Sequence, residues 1–381
     1  MAATLPVWAV YTILLYNEPS LLVSLRCPVR VIKESGKQHM QEAGTLPPSK
    51  TYSLVGSDLK KQLAQNLDAV KPISNLDFHP PVVDGKAIIA PHAGYSYSGP
   101  AAAWAYASVP TDRIKRVFLL GPSHHAYIPG VALSKFEAYD TPLGEIPLDL
   151  ATIDELRKTN IFSDMKSKVD EEEHSLEMHL PYIRFIFKEA GLKLIPILVG
   201  HPDATTSQKL SEVLSKYWDD KETFFIISSD FCHWGSRFSC TPYYPNPPPL
   251  SNSVPPVTES SATTVSAGTP ELIRRFSPAT ANPEFPIWRS IQYMDHEGIE
   301  ILRKPGERGA VQTWELYLER TKNTICGRNP ITVLLNLVQY FYKDRSVNPE
   351  FTFVRYEQSS KCMTGKDSSV SYVSGILRVP M

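Results

Sequence analysis

Four short apolar runs constrain the fold of this chain more than any other feature of its sequence. They are rich in β-branched or aromatic residues, are bounded by turn residues, and cover residues 86–90, 116–120, 193–199 and 223–228. Runs of this kind are typical of strands buried on both faces of a sheet. Helical patterns separate or follow them, at residues 99–108, 151–158, 174–189 and 205–217. Strands that alternate with helices predict an α/β fold with a mainly parallel central sheet flanked by helices.

The second half of the chain continues this pattern after an interruption. Residues 245–284 shift to Pro, Ser, Thr and Asn and lose hydrophobic periodicity. Such a segment cannot bury enough apolar surface to offset the entropy of ordering it, which predicts a disordered insertion. Beyond it, helical patterns and then two strands are expected, at residues 288–303, 312–320, 331–342, 351–356 and 370–379.

Charge and the start of the chain exclude two classes of protein. With 39 Lys and Arg against 40 Asp and Glu, the net charge is -1, which argues against a polybasic nucleic-acid surface. The apolar run at the N-terminus is interrupted by Asn17, Glu18 and Pro19, so it is too short to span a membrane. It also has no basic residue before it and no clear cleavage site, which disfavours a secretory signal. We therefore expect residues 1–43 to be a poorly ordered extension and residues 44–381 to form one α/β domain.

The cysteines indicate a reducing compartment. They are odd in number, widely spread and contain no CxxC pair: Cys27, Cys232, Cys240, Cys326 and Cys362. This pattern argues against a disulfide framework and against a structural zinc site. The sequence therefore predicts a cytoplasmic protein, with the nucleus left open as a further location.

Polar residues follow each of the four predicted central strands. The sequences after these strands are PHAGYSYSG, GPSHH, GHPD and SDFCHWG. In open α/β sheets, the ligand crevice lies outside the carboxyl ends of the strands. Residues that follow the strands are therefore the first candidates for a functional site.

Several of these residues are suitable metal ligands. His92 follows the first strand, His124 and His125 follow the second, and Asp230 and His233 follow the fourth. Because neighbouring side chains of extended backbone point to opposite faces, at most one of the two adjacent histidines can enter a shared site. No HExxH-type motif is present, and a single histidine after a strand is more often a hydrogen-bonded loop residue than a ligand. The convergence of several such residues on one crevice favours a metal site.

Other candidates have structural interpretations of comparable or greater weight. Asp230 suits a helix N-cap or a turn as well as a place beside a metal. Within EEEHSLEMHLPY, His174 and Glu177 share a helix face, whereas His179 points elsewhere. Cys326, in NTICGRNP, has the composition of an ordinary buried cysteine in a loop. Nucleophilic catalysis and phosphate binding are poorer fits, because no GxSxG, GxGxxG or GxxxxGK[ST] follows a strand.

A set of longer phrases resembles the Memo family, which is named for mediating receptor-driven cell motility. They occur in the family's order between about residue 87 and about residue 377, apart from the Pro-rich insertion. The phrases are IIAPHAGYSYSGPAAAWAY, FLLGPSHH, DEEEHSLEMHLPY, IPILVG, SSDFCHWG, NTICGR and SSKC…DSSVSY. The resemblance implies a fold like that of the class III extradiol dioxygenases, non-haem iron enzymes that open catechol-type rings.

The resemblance also implies a site. Its metal ligands would be His92, His124 and Cys326, holding one iron or copper ion, with His233 as a catalytic acid/base and Asp230 nearby. A thiolate in place of the carboxylate of ring-cleaving relatives is softer and open to oxidation, which favours a redox or metal-handling role over catechol cleavage. The family is also described as a signalling partner that recognises phosphotyrosine peptides. Three hypotheses remain open: a metal-binding protein, an oxygen-dependent dioxygenase, and a peptide-binding adaptor with a vestigial cleft.

Overall fold

The computed structural model describes residues 56–188, 191–245, 271–272 (backbone only), 282 and 284–380. Its strands are β1 (Gly85–Ala90), β2 (Arg116–Pro122), β3 (Val131–Leu133), β4 (Ala138–Tyr139), β5 (Ile146–Pro147), β6 (Phe162–Asp164), β7 (Lys193–Val199), β8 (Thr223–Ser228), β9 (Asp230–Trp234), β10 (Pro242–Tyr243), β11 (Glu271–Leu272), β12 (Glu350–Gln358) and β13 (Ser369–Arg378). Its α-helices are α1 (Gly56–Asp68), α2 (Tyr95–Ala107), α3 (Leu150–Lys158), α4 (Ser167–Glu172), α5 (His174–Glu177), α6 (Leu180–Ile186), α7 (Ala204–Asp219), α8 (Ile287–Leu302), α9 (Ala310–Thr321) and α10 (Arg328–Tyr342).

One large sheet forms the centre of the described structure. Its strand order is β12-β13-β1-β8-β2-β7-β3-β6, and β9 pairs with β13 beside this path. The four neighbours β1, β8, β2 and β7 are parallel to one another. They are the four strands predicted from the apolar runs, and all their residues are buried except the first residue of β2 and of β7. The α/β prediction is therefore confirmed, with a parallel centre and antiparallel pairs on either side of it.

Two groups of helices cover this sheet. Helix α2 packs on β1, β13 and β12 and also contacts α1 and α6. Helices α7 and α10 pack against each other and on the central strands, with α10 on both β2 and β8. The loop that leads into α10 brings Cys326 to the end of the sheet, where its Sγ lies 3.5 Å from the carbonyl oxygen of Asp230.

The single helix predicted over residues 174–189 is wrong. The chain forms two short helices there, α5 and α6, with Met178 and His179 between them. Pro181 lies in the first turn of α6, where its missing N–H and fixed φ are tolerated. Proline therefore begins the second helix, and α5 is left as a single turn at the end of β2.

The SDFCHWG stretch is a strand rather than a loop. Residues 230–234 form β9, which pairs antiparallel with β13 and aligns His233 with Val370. Cys232 and Trp234 are fully buried in a second apolar cluster with Ile287 and Met294. This burial holds the stretch extended, and Asp230, as the first residue of a strand, is not a helix N-cap.

Two predictions fall outside the described residues. The proposed extension at residues 1–43 lies wholly outside them, and the proposed insertion at residues 245–284 lies almost wholly outside them. Both remain predictions. Within the part of the chain that is described, none of the helices combines the length and the apolar character needed to cross a membrane.

Candidate metal centre

The candidate residues meet at the carboxyl ends of β1, β2 and β8. His92 lies two residues beyond the end of β1, and His124 lies two residues beyond the end of β2. Asp230 and His233 belong to β9, which begins directly after β8 and Ser229. Cys326 comes from a distant part of the sequence, two residues before α10.

Three of these side chains converge on one point. One donor atom each from His92, His124 and Cys326 lie within 4.8 Å of one another. His92 Nε2 is 3.3 Å from Cys326 Sγ, and the two imidazole rings meet edge to face with centroids 5.3 Å apart. Two nitrogens and one sulfur at this spacing could hold a metal ion.

A buried hydrogen-bond chain fixes the ring of His92. Its Nδ1 is 2.6 Å from Ser228 Oγ, and Ser228 Oγ is 2.7 Å from the carbonyl oxygen of Ser175. Because the serine hydroxyl donates its single proton to that carbonyl, it accepts the proton of His92 Nδ1–H. The lone pair of His92 is then on Nε2, the nitrogen that faces Cys326.

A buried carboxylate orients His124 in the same way. Glu173 accepts from the backbone N–H of His124 at 2.7 Å and lies 2.8 Å from its Nδ1. Glu173 is fully buried, which would raise its pKa, but the charge of His124 and its hydrogen bonds outweigh burial and lower the pKa to about 2. An ionised Glu173 accepts the Nδ1 proton, so that Nε2 of His124 is the ligand atom once the second ring proton has left.

A glycine allows the loop of Cys326 to reach the sheet. A Cβ on Gly327 would lie 2.3 Å from the Cβ of Ser229 and 2.5 Å from the carbonyl oxygen of Ser228. Burial, together with the nearby Asp230, raises the pKa of the Cys326 thiol well above its ordinary value. The thiol is therefore protonated without a metal, and metal binding would release that proton.

Asp230 and His233 lie beside this group. Asp230 accepts from the backbone N–H of His92 at 2.9 Å, and burial raises its pKa to about 7. His233 Nδ1 is 2.8 Å and 3.0 Å from the carbonyl oxygens of Phe231 and Thr324. Burial lowers the pKa of His233 to about 4, so its ring is neutral at pH 7 with the lone pair on Nε2.

The other candidate histidines take separate positions. The ring of His174 stacks on that of His124, with centroids 4.3 Å apart, while His125 meets His174 edge to face at 5.7 Å. His125 is not in the three-residue donor group, and it lies with His124 in a bend beyond β2 rather than in extended chain. His179 is buried and hydrogen-bonded through Nδ1 to the Tyr106 hydroxyl at 2.6 Å.

Comparison with known proteins identifies the family. The family model of Memo-like proteins matches residues 40–376. This chain belongs to the Memo-like family. Protein MEMO1 of Xenopus tropicalis is 40% identical over 330 residues, which are 86% of this chain and 94% of that protein. Protein MEMO1 of Homo sapiens is 36% identical over the same shares of the two chains.

One further relative agrees with this assignment, and one solved structure adds little to it. The protein memo-1 homolog of Caenorhabditis elegans is 35% identical over 328 residues, which are 86% of this chain and 80% of that protein. The crystal structure of an uncharacterised Escherichia coli K12 protein covers 76% of this chain and 99% of its own, at 12% identity and a TM-score of 0.36. The latter likeness is too weak to support a conclusion.

Three residues that orient candidate site histidines of this Memo-like chain were not found from its sequence. They are Glu173, Ser228 and Thr324, which contact His124, His92 and His233 respectively. Glu173 is one of three consecutive glutamates, so only the end of α4 distinguishes it from its exposed neighbours. Ser228 ends a predicted strand, and its position there was a usable signal.

Proposed function

We propose that this Memo-like protein binds one iron or copper ion through His92, His124 and Cys326, and that the ion serves redox chemistry, metal handling or signalling. The observation that carries the proposal is the convergence of these donor atoms within 4.8 Å. The hydrogen bonds of Ser228 and Glu173 support it, because they direct the lone pair of each imidazole toward the same point.

The donor set favours redox or metal handling over ring cleavage. A bound iron or copper ion would supply one-electron redox chemistry and Lewis acidity at this position. A thiolate ligand is softer than a carboxylate and suits copper(I) as well as iron. Burial of His92 at 2% exposure would shield the ion from water on that side.

Metal analysis of purified protein tests this proposal. Wild-type protein without a histidine tag should contain or take up about one iron or copper ion per chain, from one three-donor site. Cys326→Ser and His92→Ala should each lose most of it, because each removes a donor atom. Cys362→Ser removes a buried thiol outside the group and serves as the matched control. Unchanged metal content in both site variants would rule out this function.

A second candidate is an oxygen-dependent dioxygenase with His233 as acid/base and Asp230 beside it. It is favoured by the neutral His233 ring, whose Nδ1 is held by two carbonyl oxygens so that Nε2 can accept a proton. Oxygen consumption with iron-loaded protein and a panel of catechols separates the two candidates. We expect no ring-opened product. If one forms and His233→Gln abolishes it, the enzyme is the better description.

A third candidate is a signalling adaptor that binds phosphotyrosine peptides in the cleft. Two arginines near the site favour an anionic ligand. The Arg237 guanidinium lies 4.5 Å from the centroid of the Phe238 ring, which in turn contacts His233, and Arg328 follows Cys326 by two residues. Pull-down with paired phosphorylated and unphosphorylated peptides tests this role. Equal retention of both peptides, or retention unaffected by Arg328→Ala, would count against it.

We propose that the protein is located in the cytoplasm and also in the nucleus. Among the described residues, all four cysteines are free thiols: Cys232, Cys240, Cys326 and Cys362. Free thiols, three of them buried, support a reducing compartment. Imaging of a tagged chain in cells, with a secretory marker as reference, would contradict the proposal if the two signals coincide.

A further inference from the structure

A second group of metal donors adjoins the first and shares one residue with it. Donor atoms of His124, Glu173 and His174 lie within 4.8 Å of one another. We propose that these three residues form an outer position, at which a divalent first-row metal ion binds before it reaches the inner His92–His124–Cys326 position. The transfer step rests on the proposed function, since it requires the inner position to bind metal, whereas the outer position itself does not.

The geometry directs both imidazoles to one carboxylate oxygen. His124 Nδ1 is 2.8 Å and His174 Nδ1 is 3.6 Å from the same Oε1 of Glu173. The two rings are stacked with centroids 4.3 Å apart and planes 26° apart, so their Nδ1 edges lie side by side. Glu173 is held in place because its Oε1 also accepts from the backbone N–H of Ser175 at 3.0 Å.

The two groups have similar burial but different outermost residues. Each combines one buried residue with two partly exposed ones: Glu173 with His124 and His174 in the outer group, and His92 with His124 and Cys326 in the inner group. The side chain of His174 is 30% exposed, that of His124 14% and that of His92 2%. An ion that enters past His174 therefore passes His124, which belongs to both groups, before it reaches His92.

The two positions also differ in chemistry. Two imidazoles and a carboxylate suit divalent iron, cobalt or zinc, whereas the thiolate of the inner group is softer. A hydrated divalent ion is therefore captured more readily by the outer donors, and the inner position then retains it through Cys326. This difference gives the transfer a direction.

His124 allows only one position to be filled at a time. A neutral imidazole has one lone pair and one N–H proton. At the outer position, Nδ1 binds the ion and Nε2 carries the proton; at the inner position, Nε2 binds the ion and Nδ1–H donates to Glu173. Transfer therefore moves the His124 proton from Nε2 to Nδ1 and releases the Cys326 thiol proton to solvent as the thiolate binds. Each chain then holds one ion rather than two.

Cobalt(II) titration followed by absorption tests the proposal. The thiolate-to-cobalt charge-transfer band reports the inner position, and the ligand-field bands report any bound ion. In wild type, one cobalt ion should bind with the thiolate band. In His174→Ala, the band should reach the same final amplitude but appear about tenfold more slowly or worse, because the entry ligand is missing.

The outer position is measured alone in Cys326→Ser. With cobalt added in excess, this variant should bind one ion more weakly than wild type and without a thiolate band, although it keeps little metal through purification. Adding His174→Ala should weaken that binding about tenfold or more. His201→Ala is the matched control, since His201 is an exposed histidine whose ring stacks on Tyr127 and lies in neither group. If His174→Ala does not fold, His174→Gln replaces it.

The outcomes separate this inference from the proposed function. Wild-type loading rates in His174→Ala, with equal cobalt affinity in Cys326→Ser and the double variant, would overturn the outer position and leave the inner one intact. Absence of the thiolate band in wild type, with His174-dependent binding in Cys326→Ser, would instead overturn the inner position and the transfer and leave the outer position. Two cobalt ions per wild-type chain would contradict the single-occupancy argument.

Discussion

Two buried polar regions adjoin β9 and use similar residue types in opposite ways. In one, the donor atoms of His92, His124 and Cys326 lie within 4.8 Å of one another. In the other, the fully buried Asp295 accepts from the backbone N–H of Cys232 at 3.2 Å, from Asn323 Nδ2 at 2.9 Å and from the Tyr356 hydroxyl at 2.9 Å.

The difference shows how a buried carboxylate can serve structure or function. In the Asp295 network (Asp295, Asn323, Tyr356 and the Cys232 backbone), the lone pairs of the carboxylate are taken up by donors. In the metal region, Glu173 and Asp230 are likewise occupied with hydrogen bonds, but their partners are candidate ligands: Glu173 contacts Nδ1 of His124 and leaves Nε2 available, and Asp230 accepts from the backbone N–H of His92. We therefore expect the first network to control stability and the second region to control metal binding.

Asp295→Ala gives the largest expected effect. It leaves two buried donors and one partly buried donor without their acceptor, which should lower the free energy of unfolding by about 3 kcal/mol. Metal uptake per folded chain should not change, because Asp295 contacts none of the candidate ligands. Urea unfolding followed by tryptophan fluorescence, with metal analysis of the folded fraction, measures both quantities. A stability loss below about 1 kcal/mol, the value of one ordinary hydrogen bond, would contradict the assignment of the Asp295 network to stability.

Ser228→Ala should have a smaller effect, and it should act mainly on metal affinity rather than on stability. It removes the acceptor of His92 Nδ1–H, so the ring loses its fixed orientation and metal affinity should fall about tenfold, or about 1.4 kcal/mol. Competition with a chelator of known affinity measures this change.

Ser374→Ala is the matched control for that substitution. Ser374 is an equally buried strand serine whose hydroxyl donates to the Ala101 carbonyl oxygen at 2.6 Å, away from the metal region. It should reduce stability by about as much as Ser228→Ala, about 1 kcal/mol, and leave metal affinity unchanged. Equal affinity losses in the two variants would mean that Ser228 acts only through general stability.

The sequence predicted the central strands of the sheet better than it predicted β9. The strands β1, β2, β7 and β8 were found because each is a short, almost wholly buried apolar run, which depends on local composition. β9 was not predicted as a strand, because its residues do not form an apolar run like that of β8. Its extended form depends on the burial of Cys232 and Trp234 against α8, a contact between segments more than fifty residues apart.

The residues of the candidate site were also predicted to different degrees, according to whether local sequence or a contact between distant segments sets their position. His92 and His124 follow predicted strands, so their common location could be expected from topology alone. Cys326 was assigned only through the resemblance to the Memo family, because the packing of Gly327 on Ser229 that carries it to the sheet leaves no local pattern. Glu173 was not singled out, since its contact with His124 depends on where a single helical turn ends.

The dependence of stability on pH should separate the two regions even without a metal. Burial of Asp295, opposed in part by its hydrogen bonds, raises its pKa from 3.8 to about 6. The native state then binds this proton more tightly than the unfolded chain, so the stabilising contribution is complete below about pH 4 and is lost as pH rises to about 6. The contribution of this one group to the slope of unfolding free energy against pH cannot exceed about 1.4 kcal/mol per pH unit.

Asp295→Asn, which does not titrate, should remove that part of the slope between pH 4 and pH 6, measured by urea unfolding at several pH values. A slope identical in wild type and Asp295→Asn would show that burial does not raise the pKa of Asp295, and the contrast with Glu173, whose pKa is lowered, would then lose its basis.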